Sequence, residues 1–195
     1  MAIDWDYPEI GSGFGRVVSE LIGPGATRAE IVLVFSIGII AGVAQILYQF
    51  FAGLGWDIVQ LAIATFLAFD IAGGVVANST STAKRWYHRE GRGKKDHIGF
   101  VLVHGIYPLL IMVFFLSFDW FFFITVYGYL VLASLIVVVV PLYLRRPVSV
   151  SLFGGGLLMT IYILPPVLGL EWFVPLLYLK LITGHIVREE PYRPT

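Results

Sequence analysis

DIAGGVVANSTSTAKRWYHREGRGKKDHIGFVLVH, residues 70–104, begins and ends inside apolar sequence and is polar in between. Asp70 stands within the first apolar wall and Asn78 at its edge. Lys84-Arg85-Trp86-Tyr87-His88-Arg89 and the following Arg92, Lys94 and Lys95 make the middle basic, and His97 and His104 open the second wall. Inside hydrocarbon, backbone polar groups need internal partners, so such walls are helices. The stretch therefore reads as two membrane helices joined by a basic loop. Its ionisable residues at depth are functional-site candidates, because burying them there is costly.

The rest of the chain agrees. Charged residues make up 13% and hydrophobic ones 58%, with a mean hydropathy of +0.85, whereas a soluble domain carries roughly 25% charge. The absence of cysteine excludes disulfide and thiolate chemistry. Outward from the quoted stretch, apolar runs at about 28–51, 56–78, 97–118, 119–144, 148–168 and 171–187 each approach the roughly 20 residues that cross hydrocarbon. The expected fold is an all-α integral membrane protein, six transmembrane helices in a compact bundle. Residues 1–27 form an arm in which Gly13 to Ile22 has an amphipathic pattern, and residues 188–195 form a tail. The N-terminus lacks the basic and apolar regions of a cleaved signal, so the first apolar helix is expected to remain as a span. Thr27-Arg28-Ala29-Glu30 is a capping box at its start.

Charge sets the expected orientation. Loop 79–96 holds Lys84, Arg85, Arg89, Arg92, Lys94 and Lys95, the 144–148 turn holds Arg145 and Arg146, and the opposite loops near 52–57, 117–120 and 168–172 hold no Lys or Arg. The positive-inside rule then puts both termini in the cytoplasm, with the plasma membrane as the location. On the other side Trp56-Asp57, Asp119-Trp120 and Glu171-Trp172 pair interfacial tryptophan with an acid at a helix start.

Depth can be counted from the cytoplasmic ends. At about 1.5 Å per residue, Asp70, His104 and Lys180 all fall roughly 10–12 Å into the membrane, each on a different span. Asn78, His97 and His185 form a shallower layer. His97 and His104 are two helical turns apart and share a face. Pro108 lies four residues after His104 and is expected to free its carbonyl, with Tyr107 adding a hydroxyl. Pro165-Pro166 is expected to break the fifth span in the same way and free the carbonyls of Ile161 and Tyr162. Gly73-Gly74 and Gly154-Gly155-Gly156 suit close helix packing.

Three chemical readings follow. Asp70 and His104 form an acid/base pair with Lys180 as charge partner, because histidine is the side chain best placed to change charge near neutral pH. Asn78, His97, His185, Tyr107, Arg85, His88 and Arg89 would line the mouth of the substrate pocket. Alternatively Asp70 and Lys180 are a structural ion pair. A third possibility is zinc held by His97, His104, His185 and Asp70, a set of three nitrogens and one oxygen that suits the metal. In that inventory alone the chain resembles membrane-embedded zinc hydrolases of the alkaline ceramidase and adiponectin-receptor type. Their last-helix histidines four apart are missing, since Leu181 precedes His185 by four, and the spans number six rather than seven. No cofactor is therefore expected, zinc being the alternative. The loop 79–96 is expected to meet anionic lipid headgroups; nucleic acid is not an expected partner. The leading function is a membrane-embedded enzyme acting on a lipid or other hydrophobic substrate at the inner leaflet. The rivals are a small-solute or proton-coupled transporter and a structural membrane protein.

Overall fold

The computed structural model describes residues 2–10 and 12–193. The described chain is helical apart from a two-residue antiparallel pairing of β1 (Ala2–Ile3) with β2 (Tyr192–Arg193). Between them run α1 (Phe14–Leu21), α2 (Arg28–Ala52), α3 (Ile58–Ser79), α4 (Ser81–Tyr87), α5 (Lys94–Val103), α6 (Ile106–Phe115), α7 (Trp120–Val139), α8 (Leu142–Tyr162), α9 (Phe173–Tyr178) and a π-helix (Leu179–His185). Four helical segments, Arg28–Ala52, Ile58–Ser79, Lys94–Phe115 and Trp120–Val139, are long and apolar enough to cross a membrane. α8 has Arg145, Arg146 and Pro147 in its first turns, and Phe173–His185 is apolar but shorter.

Local chemistry explains the helix ends. Thr27 accepts from Glu30 N–H while the Glu30 carboxylate accepts from Thr27 N–H, so the capping box forms. Asp57 and Gln60 do the same for α3, and Asp119 accepts from the amides of Phe121 and Phe122 at the start of α7. Glu171 accepts from Gly169 N–H just before α9. The Glu30 carboxylate also accepts the Thr82 hydroxyl at 2.9 Å, tying the start of α2 to α4.

The prolines act differently from the sequence expectation. The third apolar run does break at His104, where α5 ends, but the His104 carbonyl accepts from Tyr107 N–H at 3.0 Å and is not free. A tighter turn satisfies it. The Leu102 carbonyl receives the Tyr127 hydroxyl from α7 at 3.0 Å. Gly105 permits that approach, since a Cβ there would meet the Tyr127 ring at 2.6 Å. Pro165 and Pro166 follow the end of α8 instead of interrupting a span. Pro147 lies inside α8, which starts at Leu142, so Arg145 and Arg146 are helical and not in a turn.

The main core joins α3, α5, α6, α7, α9 and the π-helix through fully buried Leu67, Ile71, Val101, Ile111, Leu130, Leu177 and Leu181. α2 packs chiefly on α3. There Gly73 meets Gly38 across the helix pair, a Cβ on Gly73 coming within 3.6 Å of the Gly38 Cα, which is the close approach that small residues allow. The outward face of α2, with Val32, Ile40, Phe50 and Phe51 exposed, has the character of a lipid-facing surface.

The basic loop is the largest departure from expectation. It contains α4, and Lys84 and Arg85 are among the most buried polar residues, 3% and 2% exposed. Lys84 Nζ donates to the carbonyls of Gly184 (2.5 Å) and Val187 (2.7 Å). These lie at the end of the π-helix, where carbonyls lack helical partners. Arg85 donates to Pro24 O at 3.3 Å. Arg89 lies over the Trp86 ring at 3.4 Å and donates to the Trp86 carbonyl. Lys84 thus holds the loop to the bundle and Arg85 holds it to the arm.

Candidate functional site

Asp70 on α3 and Lys180 at the start of the π-helix form an ion pair, Nζ to Oδ2 2.5 Å, and the same carboxylate oxygen accepts the Tyr107 hydroxyl from α6 at 2.7 Å. Lys180 is almost wholly buried, whereas the Asp70 side chain keeps 27% exposure. Lys180 reaches Asp70 by lying flat on α3. A Cβ at Gly74 would stand 2.4 Å from Lys180 Cε, so only glycine leaves room for the side chain. Asn78, one turn further along α3, donates to the Lys180 carbonyl at 3.1 Å.

His104 stands beside this group, its ring centroid 5.1 Å from that of Tyr107. Its Nδ1 is 2.7 Å from the Phe100 carbonyl. A carbonyl only accepts, so the proton sits on Nδ1 and Nε2 carries the lone pair. A backbone carbonyl thus orients this imidazole, and Asp70, its expected acid/base partner, is engaged by Lys180 and Tyr107. Asp70, His104, Lys180 and Asn78 line one cavity of about 230 Å³, whose other walls include Val34, Phe35 and Phe69. Glu20 and Leu21 of α1 close its rim.

The other three histidines gather on the far side of Phe100. His97 Nδ1 is 3.3 Å from His185 Nε2, and the His88 and His97 rings stack at 4.4 Å. The His88 Nε2–H donates to the His185 carbonyl at 3.0 Å, and His185 Nδ1 is buried without a partner. Phe100 stacks on His185 at 4.0 Å and lies 4.5 Å from His104. Its ring therefore separates the two layers. The alternative metal set of His97, His104, His185 and Asp70 is split by it, and among the described residues no group of three such side chains is arranged to hold a metal. Arg85 and Arg89 do not line the cavity; their guanidinium groups serve α4 and the arm.

Outside the membrane segments, burial has electrostatic consequences. His88 is held well below its usual range, at about 3, first by burial and then by His97 and Lys84 nearby. Lys84 is lowered to about 8 by burial, partly offset by Glu189.

Three features were not read from the sequence. The π-helix is one. Its hydrogen bonds run five residues back rather than four, so Lys180 and His185, five apart, can both turn toward α3 and α5. The second is the role of Gly74 as a slot for a lysine. The third is Phe100, whose spacing of three from His97 and four from His104 was a usable signal. Compared with known proteins, the chain matches no family model, no curated protein and no solved structure.

Proposed function

We propose that this chain is a membrane-embedded enzyme acting by acid/base chemistry on a lipid or other hydrophobic substrate. The observation that carries the reading is the cavity in which His104, with its tautomer set by Phe100, faces the same space as the Asp70–Lys180 pair, whose carboxylate also accepts the Tyr107 hydroxyl. His104 Nε2 is then the general base. Lys180 offsets negative charge that develops on the substrate. Asp70 keeps that ammonium in place and orients the Tyr107 hydroxyl. The apolar walls from α2 and α3 suit an acyl or other hydrophobic group.

The accompanying topology is six spans with both ends in the cytoplasm of a plasma-membrane protein. The pairing of β1 with β2 supports an even number of crossings. α8 and the Phe173–His185 helix would supply the two beyond the four long segments. Lys94, Lys95 and the other exposed basic residues of the loop would meet anionic headgroups, with Lys84 and Arg85 excluded by burial.

A carrier is the second reading. It is favoured by a cavity of about 460 Å³ toward the other end of α2, lined by Gln45, Tyr48, Glu171 and Trp172. The Phe69 ring seated on Gly38 stands between α2 residues that line the two spaces, so a carrier would have to move it. The test is a lipid profile of membranes from a strain deleted for this protein, complemented with wild type or His104→Gln. An enzyme changes the abundance of at least one lipid species in the wild-type strain only. Identical profiles, with solute uptake differing between the two strains, would favour the carrier.

A further inference from the structure

A cavity of about 760 Å³ belongs to neither histidine layer. It runs between α8 and the π-helix. Leu142, Arg146 and Val150, spaced four apart, line one side, and Leu179, Thr183 and Val187, spaced likewise, line the other. The spacing puts the first trio on one face of α8, and Val187 follows the end of the π-helix. Leu142 and Val150 are half-exposed, as side chains that meet acyl chains would be.

Polar groups concentrate midway along this groove and at one end. Lys84 is buried in its floor, and Arg146 and Arg188 stand at its wall and rim. The Thr183 hydroxyl is buried with no hydrogen-bond partner. Two of the Lys84 protons go to the Gly184 and Val187 carbonyls, and its third direction faces the Glu189 carboxylate at 3.5 Å. Arg146 also pairs with Glu189. An acid from the tail thus bridges a buried ammonium and an exposed guanidinium, with Glu190 the other acid on the rim. The tail is held by contacts that do not involve Glu189: Arg188 lies over the Trp5 ring at 4.4 Å, and Tyr192 N–H donates to the Ser81 hydroxyl at 3.2 Å.

From this arrangement we infer that the groove binds an anionic lipid through its phosphate. The phosphate sits between Lys84 and Arg146 where the Glu189 carboxylate now lies, and the chain runs over Val150 and Leu179. Guanidinium and phosphate match in charge and in fork geometry. Glu189 is the internal substitute that the lipid displaces, so tail position and lipid occupancy are coupled. None of Asp70, His104 or Tyr107 lines this groove, so the inference stands or falls apart from the proposed chemistry.

The experiment is thermal unfolding of the full-length protein in neutral maltoside micelles. It is titrated separately with lysophosphatidic acid, lysophosphatidylcholine of the same chain and inorganic phosphate. Lysophosphatidic acid is expected to raise the midpoint saturably, and the other two far less. Arg146→Ala should weaken that binding about tenfold, the loss of one charge-assisted contact. Glu189→Gln, which removes the competing carboxylate, should tighten it about fivefold. Arg16→Ala, which removes an exposed charge paired with Glu20 outside both the groove and the basic loop, should change nothing. Any of three results would overturn the inference: equal binding of inorganic phosphate or of the zwitterionic lipid, indifference to Arg146→Ala, or weaker binding in Glu189→Gln. The substituted side chain of Arg146 is 73% exposed and that of Glu189 35%, so both variants should fold.

Discussion

Lys180 is the residue whose placement costs most and explains most. Its ammonium is buried beside an apolar core and is kept there by one carboxylate, which it shares with a tyrosine hydroxyl. Breaking a buried ion pair typically costs about 3–5 kcal/mol, whereas replacing both partners by apolar groups can be nearly neutral. Asp70→Asn is therefore expected to lower stability by about 3 kcal/mol. Asp70→Leu with Lys180→Leu should recover much of that loss. Recovery should be more complete with Tyr107→Phe added, because the Tyr107 hydroxyl would otherwise lose its acceptor, a loss of about 1–3 kcal/mol when buried. The triple variant is expected to unfold like the wild type in detergent and to fail in growth complementation of a deletion strain. If it complements fully, the group is a structural clasp and the chemistry lies elsewhere.

At the scale of elements, α4 and the π-helix form one unit. Lys84 caps the end of the π-helix, His88 bonds to the His185 carbonyl, and His97 on α5 stacks on His88. This docking makes stability depend on acid. His88 has a folded-state value of about 3, against an ordinary 6.5. Between those values the unfolded chain binds more protons, so the contribution is fully present above pH 6.5 and is lost as pH falls toward 3. From pH 6.5 to 4.5 the loss attributable to this one ring is on the order of 2–3 kcal/mol. Lys84 has the same sign in another window. Held at about 8, it adds stability only as pH rises from there toward 10.5. The unfolding midpoint in detergent should therefore drop between pH 6.5 and 4.5. His88→Gln keeps a donor for the His185 carbonyl without titrating, and should flatten the drop. A wild type with no acid-side loss would mean that His88 is solvated and that α4 is not docked as described.

At the scale of the whole molecule, the arm, the tail and α4 share one end. β1 pairs with β2, and the amide of Tyr192 reaches Ser81. The turn between α2 and α3 lies at the far end of two long apolar helices. The chain contains no cysteine, so single-cysteine variants report topology without background. Glu90→Cys, at an exposed position after α4, should react with an impermeant maleimide only from the cytoplasmic side. Ala52→Cys, at the end of α2, should react only from outside. Reaction of both from the same side would remove the depth argument that brings Asp70, His104 and Lys180 to one level.

Hydropathy, charge placement and helix caps by themselves determined that the chain is helical and has apolar segments of membrane-crossing length. They also determined where α2, α3 and α7 begin, because each of those signals acts over a few neighbouring residues. Equal residue counts from the polar ends grouped Asp70, His104 and Lys180, since rise per residue in a helix is nearly constant, and the three line one cavity. Which groups bond to which was decided only in three dimensions. Lys84 and Arg85 read as surface charge along the chain, but carbonyls at a helix end and in the arm take them inward. Pro108 read as freeing a carbonyl, but a tighter turn satisfied it. The metal set was divided by a phenylalanine ring from its own helix, and the lysine found its acid across a glycine on another. Hydrogen-bond satisfaction and close packing are properties of neighbours in space, and a linear pattern carries no record of which neighbours those will be.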